Sequence, residues 1–225
     1  MMTIREYKQA ESLEEAWQLN QKKANRVLGG MIWLKMENIN VGTAIDLSGL
    51  GLDTIEETED SFSIGAMVTL RQLEEHAGLA AYTHGAVKEA LRHIVGVQLR
   101  NLATVGGSIY SRFGFSDVLT LFMAMDCSVE LYKGGIISLQ EYAERPYDRD
   151  ILVRLIVKKE EAEFSISPCA TARLISRCLP ALPPVWKTAA IALRSVRGRS
   201  RLCCLSCRQR RVFLRRNWRR TLPMK

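Results

Sequence analysis

Along the first part of the chain the spacing of apolar side chains alternates between the helical and the extended period. After a short strand-like start, Ser12 caps a helix whose buried side is Leu13, Ala16, Trp17 and Leu19. Glu15 stands three residues on, where it completes a capping box. "RVLGG" predicts a strand running into a glycine turn, and "MIWLKMEN" predicts a helical turn behind it. "SFSIGAMV" alternates as a strand does, and "TLRQLEEHAGLA" then carries Thr69 as a cap with a helical period through Leu70, Leu73 and Ala77. "HGAVKEALRHIV" predicts another amphipathic helix. "DVLTLFMAMDCSVELYKGGIISLQEYA" predicts a helix, a strand, a hairpin turn at Gly134–Gly135 and a further strand or helix start. "DILVRLIVKKEEAEF" predicts a strand, and a partner strand should follow it. This mixture makes the fold α/β or α+β.

Composition divides the 225 residues in two near Phe164. Residues 1–163 hold 17 Lys plus Arg against 24 Asp plus Glu, whereas residues 164–225 hold 13 Arg, 2 Lys and no acidic residue. The overall charge of +8 therefore describes neither part. Cys127 alone lies in the first part, while Cys169, Cys178, Cys203, Cys204 and Cys207 lie in the second. No apolar run approaches the roughly 18 residues that span a membrane. The start, "MMTIREYKQAESLEEAWQ", has no apolar core of a signal peptide, so a soluble, cytoplasmic protein is expected.

Two glycine pairs carry the candidate chemistry. Gly29–Gly30 follows the strand predicted at "RVL", and Gly106–Gly107 follows "LATV". Glycine permits positive φ and close approach of backbone to another group, and consecutive amides at such turns form anion-binding concavities. Two such loops could hold the two phosphates of a dinucleotide, or each could be a tight turn; the spacing leaves both open. Neither matches G-x-G-x-x-G or the phosphate loop ending in G-K-[ST]. His76, His84 and His93 have no metal-like spacing with one another or with cysteine.

"VGVQLRNLATVGGSIYSRFGFSDV" resembles the second flavin-binding motif of the FAD subunits of molybdenum hydroxylases, the xanthine and carbon monoxide dehydrogenase group. Gly96, Gln98, Arg100, Asn101, Ala103, Thr104, Gly106, Gly107 and Ser108 fill the pattern, with Asp117 at the expected offset. "LGGMIWLKM" looks like the first motif, with Met31 and Ile32 where Thr and Asp are common. The resemblance covers residues 1–163. It implies an α+β, FAD-binding PCMH-type (vanillyl-alcohol-oxidase-like) fold of two subdomains, about 1–57 and 58–163, with the C-terminal subdomain missing from this chain.

The resemblance also implies roles. Val27, Leu28, Gly29, Gly30, Met31, Ile32 and Trp33, with Thr104, Val105, Gly106, Gly107 and Ser108, would wrap the FAD pyrophosphate and ribityl chain through backbone amides. Ser108 would add a hydroxyl donor, and Ile94 would contact the ring or its surroundings. Asp117 would accept hydrogen bonds from the adenosine side, or serve as the N-cap of the following helix, or both. Arg100 and Asn101 are expected to brace the loop. The chain would act as the flavin subunit of a molybdopterin-dependent, xanthine dehydrogenase-like enzyme, an FAD-dependent oxidoreductase without catalytic or metal-ligating residues of its own. Its partners would be a [2Fe–2S] small subunit and a molybdopterin-binding large subunit, with NAD or another electron acceptor. Purine or another N-heterocycle is the implied substrate class.

Residues 164–225 do not resemble the family's C-terminal subdomain, which helps to cover the flavin. A basic tail could bind nucleic acid or anionic lipid, which gives the alternative function. "CCLSC" could contribute to a metal site, though it lacks a paired second half. Loss of every acidic residue with excess Arg, Cys and Pro is also what a shifted reading frame gives. On that last reading the tail is poorly ordered, the partner edge of "DILVRLIV" is exposed, and flavin retention is weak or absent.

Overall fold

The parallel strands that open the chain show why its first predicted turn falls at glycine. In a computed structural model, residues 1–113 and 116–160 are described in full, with the backbone of 162–168, 189–195 and 200–203. β1 (Thr3–Gln9), β2 (Arg26–Leu28) and β3 (Asn40–Asp46) form a parallel sheet ordered β1-β3-β2. The helix α1 (Leu13–Asn20) crosses between β1 and β2. Ser12 Oγ caps α1 by accepting from the Glu15 amide at 3.2 Å, and Ala16 is buried as its spacing predicts. The Glu15 carboxylate reaches back one residue further than a capping box requires, to the Glu11 amide.

The second sheet is antiparallel and has five strands. β4 (Ile55–Glu57) and β5 (Ser61–Gly65) form a hairpin, and β4, though it lies within the expected first subdomain of about 1–57, belongs to this larger sheet. Six helices follow: α2 (Leu70–Glu75), α3 (Ala77–Tyr82), α4 (Ala86–Arg92), α5 (Val97–Leu102), α6 (Val105–Tyr110) and α7 (Asp117–Met123). Then come β6 (Cys127–Leu131), β7 (Gly135–Ser138), α8 (Leu139–Glu144) and β8 (Leu152–Lys158). The single helix expected from Thr69 is two. His76 ends α2 in extended backbone, and its Nδ1 accepts from the Leu79 amide to cap α3. The predicted hairpin at Gly134–Gly135 is present, with Gly135 at φ +68°.

Strand order in this sheet is β4-β5-β8-β6-β7, so β8 lies at its centre. The expectation that "DILVRLIV" needs a later partner is thereby corrected. Both of its edges are already paired, to β5 through Ile64↔Leu155 and to β6 through Val129↔Leu155. Those neighbours precede it in sequence by tens of residues, a return that local patterning does not reveal. Phe62, Ile64, Val129, Leu155 and Val157 point to one face and pack under α2, α4, α6 and α7 with Leu70, Leu73, Leu91, Val105 and Phe122. The later strands β9 (Ala162–Pro168), β10 (Ala189–Ser195) and β11 (Ser200–Cys203) form a separate antiparallel sheet, with β9 beside α4 and β10 beside α7. Cys169, Cys178, Cys204, Cys207 and most of the basic tail lie outside the described residues.

Two structures join the sheets. Ala10, Ala16, Ile45 and Leu47 from the first body pack with Leu52, Ile151 and Val153 from the second. Beside them Arg149 Nη1 and Nη2 donate to the carbonyls of Asn20, Lys22 and Lys23, closing the end of α1. That clamp fixes the segment immediately before β2.

Candidate functional site

The two glycine loops meet in the seam between the bodies. β2 ends at Leu28 and delivers Gly29–Gly30, while α5 ends at Leu102 and delivers Thr104–Ser108. A Cβ added at Gly30 would lie 2.5 Å from the carbonyl carbon of Leu102 and 2.8 Å from Ala103 Cα. A Cβ at Gly29 would lie 2.8 Å from Thr104 Oγ1 and 3.7 Å from Gly107 Cα. Residues separated by most of the larger body's helices are thus in backbone contact.

Close approach, not backbone angle, is why these positions are glycine. Gly29, Gly30, Gly106 and Gly107 all have ordinary φ; the left-handed residue in the first loop is Met31, at φ +56°. Gly106 packs on β5's end, donating its amide to the Ala66 carbonyl at 2.8 Å where a Cβ would collide with the same oxygen. Val105 is wholly buried and donates to Val68, and Leu70 donates to Ala103, so the second loop is stitched along the start of α2. Thr104 caps α6: its Oγ1 accepts from the Gly107 amide at 3.1 Å.

The donors left over define what the seam can hold. The amides of Gly30, Met31 and Ile32 have no acceptor among the described residues. Ser108, expected as a hydroxyl donor, gives its Oγ hydrogen to the Thr104 carbonyl at 2.8 Å, so outward it offers an acceptor lone pair. Val27 faces inward against the inter-sheet core, and Trp33 stands half exposed with its ring edge-on to Phe113 at 5.8 Å. The second loop differs from expectation, because the amides of Val105, Gly106, Gly107 and Ser108 already donate to Val68, Ala66 and Thr104; the first loop's unpaired amides beside a glycine-thin wall suit a polyanionic, extended ligand.

Asp117 sits at the first residue of α7. The N-cap is Ser116, whose Oγ accepts from the Leu119 amide, so the capping alternative for Asp117 does not hold. Burial pushes its carboxyl up to about 6, only partly opposed by the His93 imidazole. Ile94 follows α4 and packs partly into the larger core. Arg100 braces this region as expected: Nη1 donates to the Arg92 and Ile94 carbonyls, 3.1 Å each. Its counter-charge is Glu74, a buried residue that the motif does not contain. The signal for Glu74 is its helical spacing from Leu70 and Leu73, which puts it on the inward stripe of α2. Asn101 is exposed.

A family model described as the FAD binding domain in molybdopterin dehydrogenase matches residues 2–159. The uncharacterized protein YgfM of Escherichia coli (strain K12) is 29% identical over 194 residues, covering 84% of this chain and 70% of that protein. That match is longer than the residues before 164 could supply. Among solved structures, quinoline 2-oxidoreductase from Pseudomonas putida 86 superposes with TM-score 0.68 at 18% identity, covering 88% of this chain and 76% of that one. A carbon monoxide dehydrogenase from Hydrogenophaga pseudoflava gives TM-score 0.68 at 19% identity, covering 88% and 76%. These likenesses establish the shared α+β fold.

Proposed function

The chain belongs to the family of FAD-binding domains of molybdopterin dehydrogenases, and from that premise we propose that the seam between its two sheets is the flavin site of a multi-subunit oxidoreductase. FAD is the family's cofactor on this domain. Bound there, it would supply the exchange between one-electron and two-electron transfer. The chain's own residues contribute binding and exclusion of solvent. Amides of Gly30, Met31 and Ile32 receive the pyrophosphate against the second loop, Thr104–Ser108, and Trp33 walls the ribityl side, while Val27 and Leu28 hold the first loop from behind. Asp117, at the start of α7, accepts hydrogen bonds from the adenosine side, and Ile94 meets the ring or its surroundings. No proton-transfer pair is required of this chain.

The observation that carries the reading is the backbone contact between Gly30 and Leu102–Ala103, which brings both motif loops into one seam. Around it we place partners of family chemistry: a [2Fe–2S] subunit that delivers electrons, a molybdopterin subunit that oxidises an N-heterocyclic or related substrate, and NAD or another acceptor. No helix among the described residues is long and apolar enough to cross a membrane, and a cytoplasmic setting is part of the proposal. The nucleic-acid alternative rests on residues 164–225, which lie largely outside the described residues.

Titration of the purified full chain with FAD, followed by flavin fluorescence, tests the reading. Saturable quenching by FAD and weaker binding of FMN, which lacks the adenosine end, is the expected result. Absence of saturable FAD binding would overturn it.

A further inference from the structure

Two charges lie almost wholly inside the larger body, outside both glycine loops. Glu74 on α2 is 4% exposed and Arg100 on α5 is 5% exposed, and Arg100 Nε donates to Glu74 Oε2 at 2.9 Å. Burying such a pair is costly, and apolar residues of like volume often fill the space as well or better. Balancing charge is therefore a poor account of why the pair is there.

The guanidinium's other bonds supply a better one. Its Nη1 closes the Arg92 and Ile94 carbonyls at the end of α4. Directly after them the chain turns through Val95 at φ +48°. A β-branched residue in the left-handed region is strained and persists only where its surroundings over-determine it. Arg100 is the side chain that ties this turn down. The same helix α5 ends at Leu102, which lies against Gly30, and Thr104 two residues on starts the second loop. Glu74 in turn takes Arg71 Nη1 at 2.9 Å. Burial pushes the Glu74 carboxyl up, but the hydrogen bonds from Arg71 and Arg100 outweigh it and hold the group below its usual range.

We propose that Glu74 and Arg100 are a positioning pair, fixing the Ile94–Val95 turn against the second glycine loop and so setting the geometry that the flavin meets. The inference rests on the FAD reading above. It assigns the pair no contact with the cofactor; the pair acts through the turn.

The test uses the full chain and three variants. Arg100→Lys keeps the charge but loses the planar fork that reaches a carboxylate and two carbonyls together. Glu74→Gln removes the anion. Arg71→Ala removes Glu74's partly exposed partner and leaves the turn's contacts in place. Amide hydrogen exchange is measured without flavin, and FAD affinity by titration. For Arg100→Lys and Glu74→Gln, exchange at the His93 and Ile94 amides, which donate to Leu91, should rise and FAD affinity fall, each about tenfold, as distortion of a charge-assisted hydrogen bond implies. Amides of β5 and β8 should keep their protection, and Arg71→Ala should match wild type.

Unchanged exchange at His93 and Ile94 overturns the proposal, as does exchange that rises uniformly through the sheet, the mark of a purely structural role. A loosened turn with unchanged FAD affinity also overturns it while leaving the FAD reading intact. If Glu74→Gln does not fold, Arg100→Lys gives the same readouts. Wild-type protein that takes up no FAD overturns the FAD reading and this proposal together, and that result comes from the unmutated chain alone.

Discussion

A Cβ placed on Gly30 would come within 1.9 Å of the Leu102 carbonyl oxygen. The two loops therefore touch through backbone atoms, with no side chain able to move aside. The neighbouring glycines differ in this respect: Gly29 and Gly107 face Thr104 Oγ1, at 2.8 and 3.0 Å from a hypothetical Cβ. The seam is rigidly specified at one point and adjustable beside it.

Gly30→Ala should consequently cost about 1–3 kcal/mol, the usual toll of overpacking, and abolish FAD uptake. Gly107→Ala, in the first turn of α6, should change stability by about 1 kcal/mol or less, because relief of the contact and gain in helix propensity oppose each other. Urea unfolding of both variants checks the order. Equal costs would show that the seam is not set by backbone contact.

The half-buried Asp117 carboxyl makes a prediction about pH. Its folded value is raised to about 6, whereas an unfolded Asp titrates near 3.8. The folded chain thus binds this proton more tightly, and stability falls as pH rises from about 4 to about 6. Asp117→Asn should gain about 1–3 kcal/mol above pH 6 and nearly nothing below pH 4. Melting temperatures at the two ends of that window test it, and a gain at the acid end would contradict the assigned sign.

Arg149 holds three carbonyls at the end of α1, one of them at 2.6 Å. Arg149→Ala should lower stability by about 1–2 kcal/mol and speed amide exchange in 20–30 more than in β5 or β8. Protection lost evenly across the chain would mean that the clamp does not specifically secure the first glycine loop.

Because β8 is paired on both edges, ending the chain after Glu160 should leave the five-stranded sheet intact. Circular dichroism and thermal unfolding of that shortened chain should show one cooperative transition within a few degrees of the full chain. Aggregation or loss of cooperativity would imply that later residues complete the core.

The periodic elements were legible because burial on one face imposes spacing: Leu13, Ala16 and Trp17 on α1, or Phe62 and Ile64 on β5, could be read from pattern alone. The glycine motifs were legible for a different reason, since close backbone approach restricts the residue type. Partners remote in sequence were not. Nothing local to Leu155 says that Ile64 lies on one side of it and Val129 on the other. Glu74 is hidden among the acidic residues of "RQLEEH" unless its place on the inward stripe is noticed. Ser116 takes the capping role that Asp117's position also suggested, and only geometry separates adjacent candidates of similar chemistry.

One wall of the seam is complete once β3 ends at Asp46, but the other depends on β8, where the Val153 carbonyl accepts the Ala66 amide at 2.9 Å beside the second loop's footing. Contacts so far apart in sequence form late, after the entropy of closing the intervening chain has been met. A ribosome-bound chain that has not yet presented residues 152–158 holds both glycine pairs but lacks the strand on which the second loop's footing rests. Topology alone therefore makes cofactor loading an event that follows synthesis of both bodies.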